Sequence, residues 1–150
     1  MLRSFILALT VAAYLLAGET QAQAQVTVYR TGTSEESGPL RSLTSPTGGS
    51  ISYQQVVTVD QKWSGNIIAQ TVFSWSQIIG KVAATINASQ QNTWTTNVTS
   101  TVNVPKGRQV TIRPVAIYTN YFWEFRVLGV KVATGSVRKF EGTRVLTSVQ

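Results

Sequence analysis

Histidine and cysteine are both absent from this 150-residue chain. Their absence removes thiolate nucleophiles, disulfides, zinc and iron–sulfur ligand sets and every histidine-based triad. Carboxylates are scarce as well, with six Asp and Glu against 13 Lys and Arg and a formal net charge of +7. Proline occurs only four times, so little interrupts extended backbone. What is present is apolar: 43% of the residues are hydrophobic, enough to build a core in a chain of single-domain length. A folded module without metal or thiol chemistry follows, and binding, assembly and membrane action are what remain open to it.

The N-terminus reads as a secretory signal. Arg3 supplies a positive start, Phe5 to Gly18 form an apolar stretch of 14 residues, and Ala22-Gln23-Ala24 gives an A-x-A cleavage signature. The stretch is shorter than the roughly 20 residues of a spanning helix. Cleavage after Ala24 is expected, leaving 126 residues from Gln25 and a secreted, extracellular protein held by packing and hydrogen bonds alone. The excess of positive charge favours a lipid membrane or an anionic cell-surface polymer as partner. The basic residues form no stripe, which argues against nucleic acid. Asn87-Ala-Ser and Asn97-Val-Thr fit the glycosylation sequon, which matters only in a eukaryotic secretory route.

Beyond Ala24 the residue types favour strands. Val26 to Arg30 suits one short strand, and Thr31 to Ser50, rich in Gly, Ser, Thr and Pro, reads as a flexible arm, giving an N-terminal region 25–50 before a single β domain 51–150. From Ile51 onward, runs of Val, Ile, Thr and aromatic residues alternate with polar ones. Ile51 to Trp63 alternates, and Ser64-Gly65-Asn66 reads as a turn. Ile67, Ala69, Phe73, Trp75 and Ile79 then share one face, Gly80-Lys81 suits a two-residue reversal, and Val82, Ala84, Ile86 and Ala88 return, a pattern predicting an amphipathic hairpin over 67–88. Thr93 to Val104 alternates most cleanly, and Pro105-Lys106-Gly107 stops it. Pro114 demands a bulge or an edge position. Long strands joined by short turns predict an all-β fold, an elongated antiparallel sheet or β-sandwich with Ser/Thr-rich strands.

Three constellations carry candidate chemistry. Asp60 and Glu124 are a conceivable glycosidase pair, but both sit on polar sides of alternating strands, where a cross-strand partner for Arg or Lys is the plainer reading; no enzyme and no cofactor are expected. Tyr118, Tyr121, Phe122 and Trp123 crowd one strand, and because Phe122 falls opposite Tyr121 and Trp123 some of these rings must leave the core; Tyr118 and Phe122 are the surface candidates, for sugar stacking or an interfacial belt. The hairpin over 67–88, apolar on one side and Ser/Thr/Asn/Gln on the other, has the pattern of a transmembrane β-hairpin, and equally of a half-buried hairpin in a sandwich.

Read together, Ile51 to Val127 resembles the membrane-active core of the aerolysin-like β-pore-forming toxins, in particular the epsilon-toxin and mosquitocidal-toxin branch. The similar features are a long polar strand, the amphipathic hairpin around Gly80, the Thr/Ser-rich run NTWTTNVTSTVNV, the V-P-x-G turn of Val104, Pro105 and Gly107, and the run RQVTIRPVAIY. The resemblance covers about half of the chain and implies a homo-oligomer that inserts a hairpin into a membrane, here Ile67 to Ala88. The family's separate receptor-binding region has no counterpart beyond the arm up to Ser50. The alternative is a cell-envelope or glycan-binding structural β-sandwich that self-assembles through unpaired strand edges.

Overall fold

The structure, a computed structural model, describes residues 24–150. The signal read over residues 1–24 lies, but for Ala24, outside the described residues. Those residues form β1 (Ala24–Ser37), β2 (Arg41–Thr44), β3 (Gly49–Asp60), β4 (Trp63–Ile67), α1 (Trp75–Ile86), β5 (Thr93–Val104), β6 (Gln109–Val127) and β7 (Val130–Val149). The fold is mostly antiparallel sheet, as the alternation predicts, with one helix that it does not predict.

The larger sheet runs β1-β6-β7-β4, with β2 also paired to β6 beyond the end of β1. Its spine is the β6–β7 hairpin, registered from Val110↔Val149 to Val127↔Val130. At about 3.3 Å per residue a strand of this kind is roughly 60 Å long, so the body is elongated. Pro114 lies in β6 where β1 has stopped at Ser37↔Val115 and β2 has not begun at Arg41↔Ile112. There its carbonyl accepts from Gly38 N (2.7 Å), and its missing N–H deprives no ladder partner on that side.

β3 and β5 form a separate two-stranded ribbon. Tyr53, Val102 and Val104 of the ribbon pack on Val110 and Ile112, and Val57, Val59 and Val98 on Ala116 and Tyr118. All four β6 partners are even-numbered. The helix cluster uses odd-numbered Trp123 and Phe125 of β6 instead, with Phe73, Ile78, Ile79 and Val82. The register irregularities beside β6 skip residues of β1 or β7, never of β6. With alternation unbroken along β6, ribbon and helix cover opposite faces of the large sheet, each over part of its length.

Several expectations are corrected here. Residues 67–88 are not a hairpin: Gly80-Lys81 lies inside α1, and Ser64-Gly65-Asn66 is strand β4 rather than a turn. The helix has a capping box, in which the Ser74 hydroxyl accepts from Gln77 N and the Gln77 side chain accepts from Ser74 N, and it ends on Asn87 in the left-handed region. Ile78, Ile79, Val82 and Ala83, all buried, with half-buried Ile86 one turn further, follow the 3.6-residue period of a helix face. That spacing shares enough positions with an alternating pattern over short windows to imitate it. Thr31–Ser37, read as arm, continues β1 past a bulge at Arg30/Gly32. Tyr118 is fully buried rather than exposed.

Two features hold the helix end of the sheet together. Gly65 and Gly135 face each other across the β4–β7 pair, and a methyl group on Gly135 would collide with the Ser64 carbonyl and the Trp123 ring. The close approach lets Trp123 lie buried beside Trp75, their rings 5.7 Å apart, with its indole Nε1 making no hydrogen bond. Further along β6, Glu124 is nearly buried and receives Lys131 Nζ and Arg126 N–H, each at 2.9 Å. Hydrogen bonds from Lys131 and then Arg126 hold its carboxyl below the ordinary 4.5.

Gly135→Ala should lower stability by about 3 kcal/mol, an overpacking cost against the β4 backbone and the buried Trp123 ring, read as a drop in the thermal midpoint. The depressed Glu124 value makes its contribution complete above the ordinary glutamate range and lost as pH falls through the lowered native value. Acid titration of stability should therefore show a steeper decline in the wild type than in Glu124→Gln, which cannot titrate there.

Candidate membrane-active segment

The ribbon pairs twelve residues a side, from Gly49↔Val104 to Asp60↔Thr93. One face is buried: Tyr53, Val57 and Val59 with Val98, Val102 and Val104. Tyr53 donates its hydroxyl to Gln55 Oε1 on the same face, and burial pushes the tyrosine pKa up against the opposing pull of Arg41. The solvent face pairs Ser50 with Asn103, Ser52 with Thr101, Gln54 with Thr99, Val56 with Asn97 and Thr58 with Thr95. No charged residue occurs in either strand before Asp60 closes β3.

Residues 61–92 connect the two strands and hold β4 and α1. They contain Lys62 and Lys81 and no carboxylate. The segment is clasped where it leaves and rejoins the ribbon. Gln61 N donates to Asn92 O (2.6 Å), and the buried Gln61 side chain donates to Ser89 O (2.6 Å) while accepting from Phe140 N (3.0 Å). Trp63 Nε1 also donates to Ser89 O, at 3.3 Å. One residue earlier, Asp60 N donates to Tyr118 Oη (3.1 Å) and Asp60 O accepts from Arg138 Nε (2.7 Å). The Arg138 guanidinium lies 4.2 Å from the Tyr118 ring centroid and pairs with Glu36 at 2.6 Å. Sequence reasoning missed Gln61 and Arg138. A glutamine at the end of an alternating strand carries no signal of its own, and Arg138 is 78 residues from the carbonyl it holds.

The predicted site residues fall into different places. Phe73, Ile79 and Val82 are buried in the helix cluster, with Phe73 edge-on to Phe125 at 5.2 Å, while Trp75 and Ile86 are partly buried against it. Ala69 precedes α1 and Ala84 lies exposed on it, and Ile67 ends β4 exposed. Gly80 sits mid-helix, where Gln90 lies beside it. Val104 is fully buried; Pro105 and Gly107 form the turn to β6, with Arg108 N donating to Pro105 O (3.1 Å) and Gly107 at φ 71°. Phe122 is 38% exposed and meets the exposed Tyr29 at 6.1 Å between centroids.

The two carboxylates considered for catalysis are committed elsewhere. Asp60 lies against Lys62 and Arg138, whereas Glu124 is bound by Lys131 and Arg126. Arg138 registers with Asn120, four residues along β6 from Glu124, about 13 Å at strand rise. A glycosidase pair needs roughly 5–9.5 Å. Among the described residues no group of three or more acidic residues gathers as a metal site.

Removing the Gln61 side chain would leave the half-buried Phe140 N–H without its partner, at a cost of about 1 kcal/mol. Gln61→Ala should lower the thermal midpoint accordingly and speed limited proteolysis within residues 62–92, with cleavage elsewhere unchanged; mass mapping of the first fragments checks it.

No protein-family profile and no curated protein matches the chain. Among solved structures, an aerolysin-like protein of Bombina maxima aligns with a TM-score of 0.37 and 9% identity, over 85% of this chain and 97% of that one. A protein described as a candidate pore-forming toxin from Bacteroides vulgatus aligns with a TM-score of 0.35 and 18% identity over 85% of this chain, which spans 55% of its length. The chain resembles these proteins, and the resemblance is weak.

Proposed function

We propose that the protein is secreted and non-enzymatic and acts on membranes after self-association, through the β3–β5 ribbon and the segment it carries. The observation that supports this most is the chemistry of the ribbon. It offers twelve paired residues a side, one mainly apolar face that also carries Gln55, Thr96 and Ser100, one face of hydroxyls and amides interrupted by Val56, and a 32-residue connector with two lysines and no carboxylate. A tilted membrane-spanning strand takes about 9–11 residues, with apolar and polar positions alternating. Both strands meet that length without burying a charge before Asp60.

In the folded state α1 lies on the large sheet and β4 is its edge strand, so membrane entry through the connector requires the Gln61 clasp to open, β4 to leave β7 and the helix to leave Trp123 and Phe125. The reading is therefore of a stored segment, not of a hairpin formed in advance. Two-stranded pairing leaves the outer edges of β3 and β5 without strand partners among the described residues, which suits edge-to-edge assembly into a ring. The same edges suit an adhesive or fibrous module, and the experiment separates the two.

Purified protein should release dye from liposomes and form oligomers on them. The chain has no cysteine, so Ser64→Cys with Ser136→Cys, whose hydroxyl oxygens are 2.7 Å apart in facing positions, would make one disulfide tying β4 to β7. The oxidised double variant should bind without leakage, and reductant should restore release. Leakage unaffected by the lock would remove the connector from the process, and no leakage from any lipid would favour the adhesive module.

A further inference from the structure

One end of the molecule gathers aliphatic side chains that the fold leaves in water. The loop after β4 is tied to β7 by Ile68 N and Ala69 N, which donate to Val132 O at 2.8 and 3.3 Å. This sets Val72 beside the β6–β7 turn, where Val72, Leu128 and Val130 line one shallow groove. Val72 is 79% exposed, Leu128 62% and Val130 58%, and Ile67 and Ile68 are exposed on the adjoining residues.

The turn itself is informative. Leu128 and Gly129 are its two central residues, at φ 51° and 77°. A two-residue turn with both φ positive favours Asn-Gly. Leucine adopts the left-handed region only at a cost, and here it gains no burial in return. An exposed apolar side chain thus stands at a position where local stability favours a polar one, and such outliers point to function.

Cations rim the patch. Arg126 Nη1 donates to Gly129 O of the turn (3.5 Å), Lys131 follows Val130 in β7, and Lys81 Nζ lies 5.7 Å from the ring centroid of Phe73, the residue after Val72 in the chain. Against these three positive charges stands one carboxylate, Glu124, already engaged by two of them. Aliphatic tips within a basic rim match the boundary of an anionic bilayer, where apolar groups enter the acyl region and amines meet phosphates. A protein partner fits less well, since interface cores favour aromatic anchors and this patch has none exposed.

We propose that this end docks the protein on anionic lipid, with Val72, Leu128 and Val130 entering the bilayer surface and Lys81, Arg126 and Lys131 at headgroup level. The inference rests on the membrane reading above but concerns attachment, not insertion. The test is sedimentation of the full chain with vesicles of phosphatidylcholine alone and mixed with phosphatidylserine. Binding should be stronger to the mixed vesicles and weaken with salt. Leu128→Asn should raise the thermal midpoint by relieving the turn while weakening vesicle binding about tenfold, the loss of one buried leucine. Val72→Ser should weaken binding without that gain in stability, and Lys81→Gln should reduce only the preference for phosphatidylserine.

Binding of Leu128→Asn and Val72→Ser equal to wild type would overturn the proposal. So would a chain that ignores both vesicle types. Docking without leakage would defeat the pore reading alone; leakage with docking indifferent to these variants would defeat this one alone.

Discussion

The unbroken alternation of β6 is the constraint on which the rest depends. A strand of ordinary length serves one core; this one is long enough to serve two, with even-numbered Val110, Ile112, Ala116 and Tyr118 under the ribbon and odd-numbered Trp123 and Phe125 under the helix. Because irregularities fall on the neighbours and not on β6, the two clusters stay on opposite faces. A single inserted residue between Tyr118 and Trp123 would bring the two clusters to one face and leave the chain from Asp60 to Trp75 without its path around the β7 edge.

That path explains the economy of the junction. The chain leaves the ribbon at Asp60, passes the β7 edge as β4 and reaches the other face as α1. Backbone polar groups at such a crossing need partners that neither sheet supplies. Gln61, Arg138 and the Tyr118 hydroxyl supply them, which is why a glutamine side chain is among the most completely buried groups in the protein. The ion pairs of Glu35 with Arg144 and Glu36 with Arg138 are more exposed and contribute less.

What the sequence made legible follows from how local each signal is. The Thr/Ser-rich run 93–104 keeps its period of two, with only Thr96 and Ser100 polar on the apolar side, and strand β5 has those limits. The rings of one strand divide between two surroundings, as the opposite parity of Phe122 and Trp123 requires, although Tyr118 is buried under the ribbon, not exposed. The helix was hidden because Ile79, Val82, Ala84 and Ile86 fit a period of two when read around Gly80, and a glycine inside a helix looks like a turn. The signal that outweighs them is the Ser74–Gln77 box before Ile78, Ile79, Val82 and Ala83. The extension of β1 to Ser37 was not legible at all, because its cause is pairing with residues about 80 positions away.

The indole N–H of Trp123 has a bearing on energetics that its burial conceals. It is buried beside Trp75 with no protein acceptor, and an unpaired buried donor of this kind costs stability. The apolar contact that keeps the helix seated and the unmet donor beneath it oppose each other at one ring. Were the helix to leave the sheet as proposed above, the Trp75–Trp123 pair would pass from a dry to a wet environment, and tryptophan emission would report it.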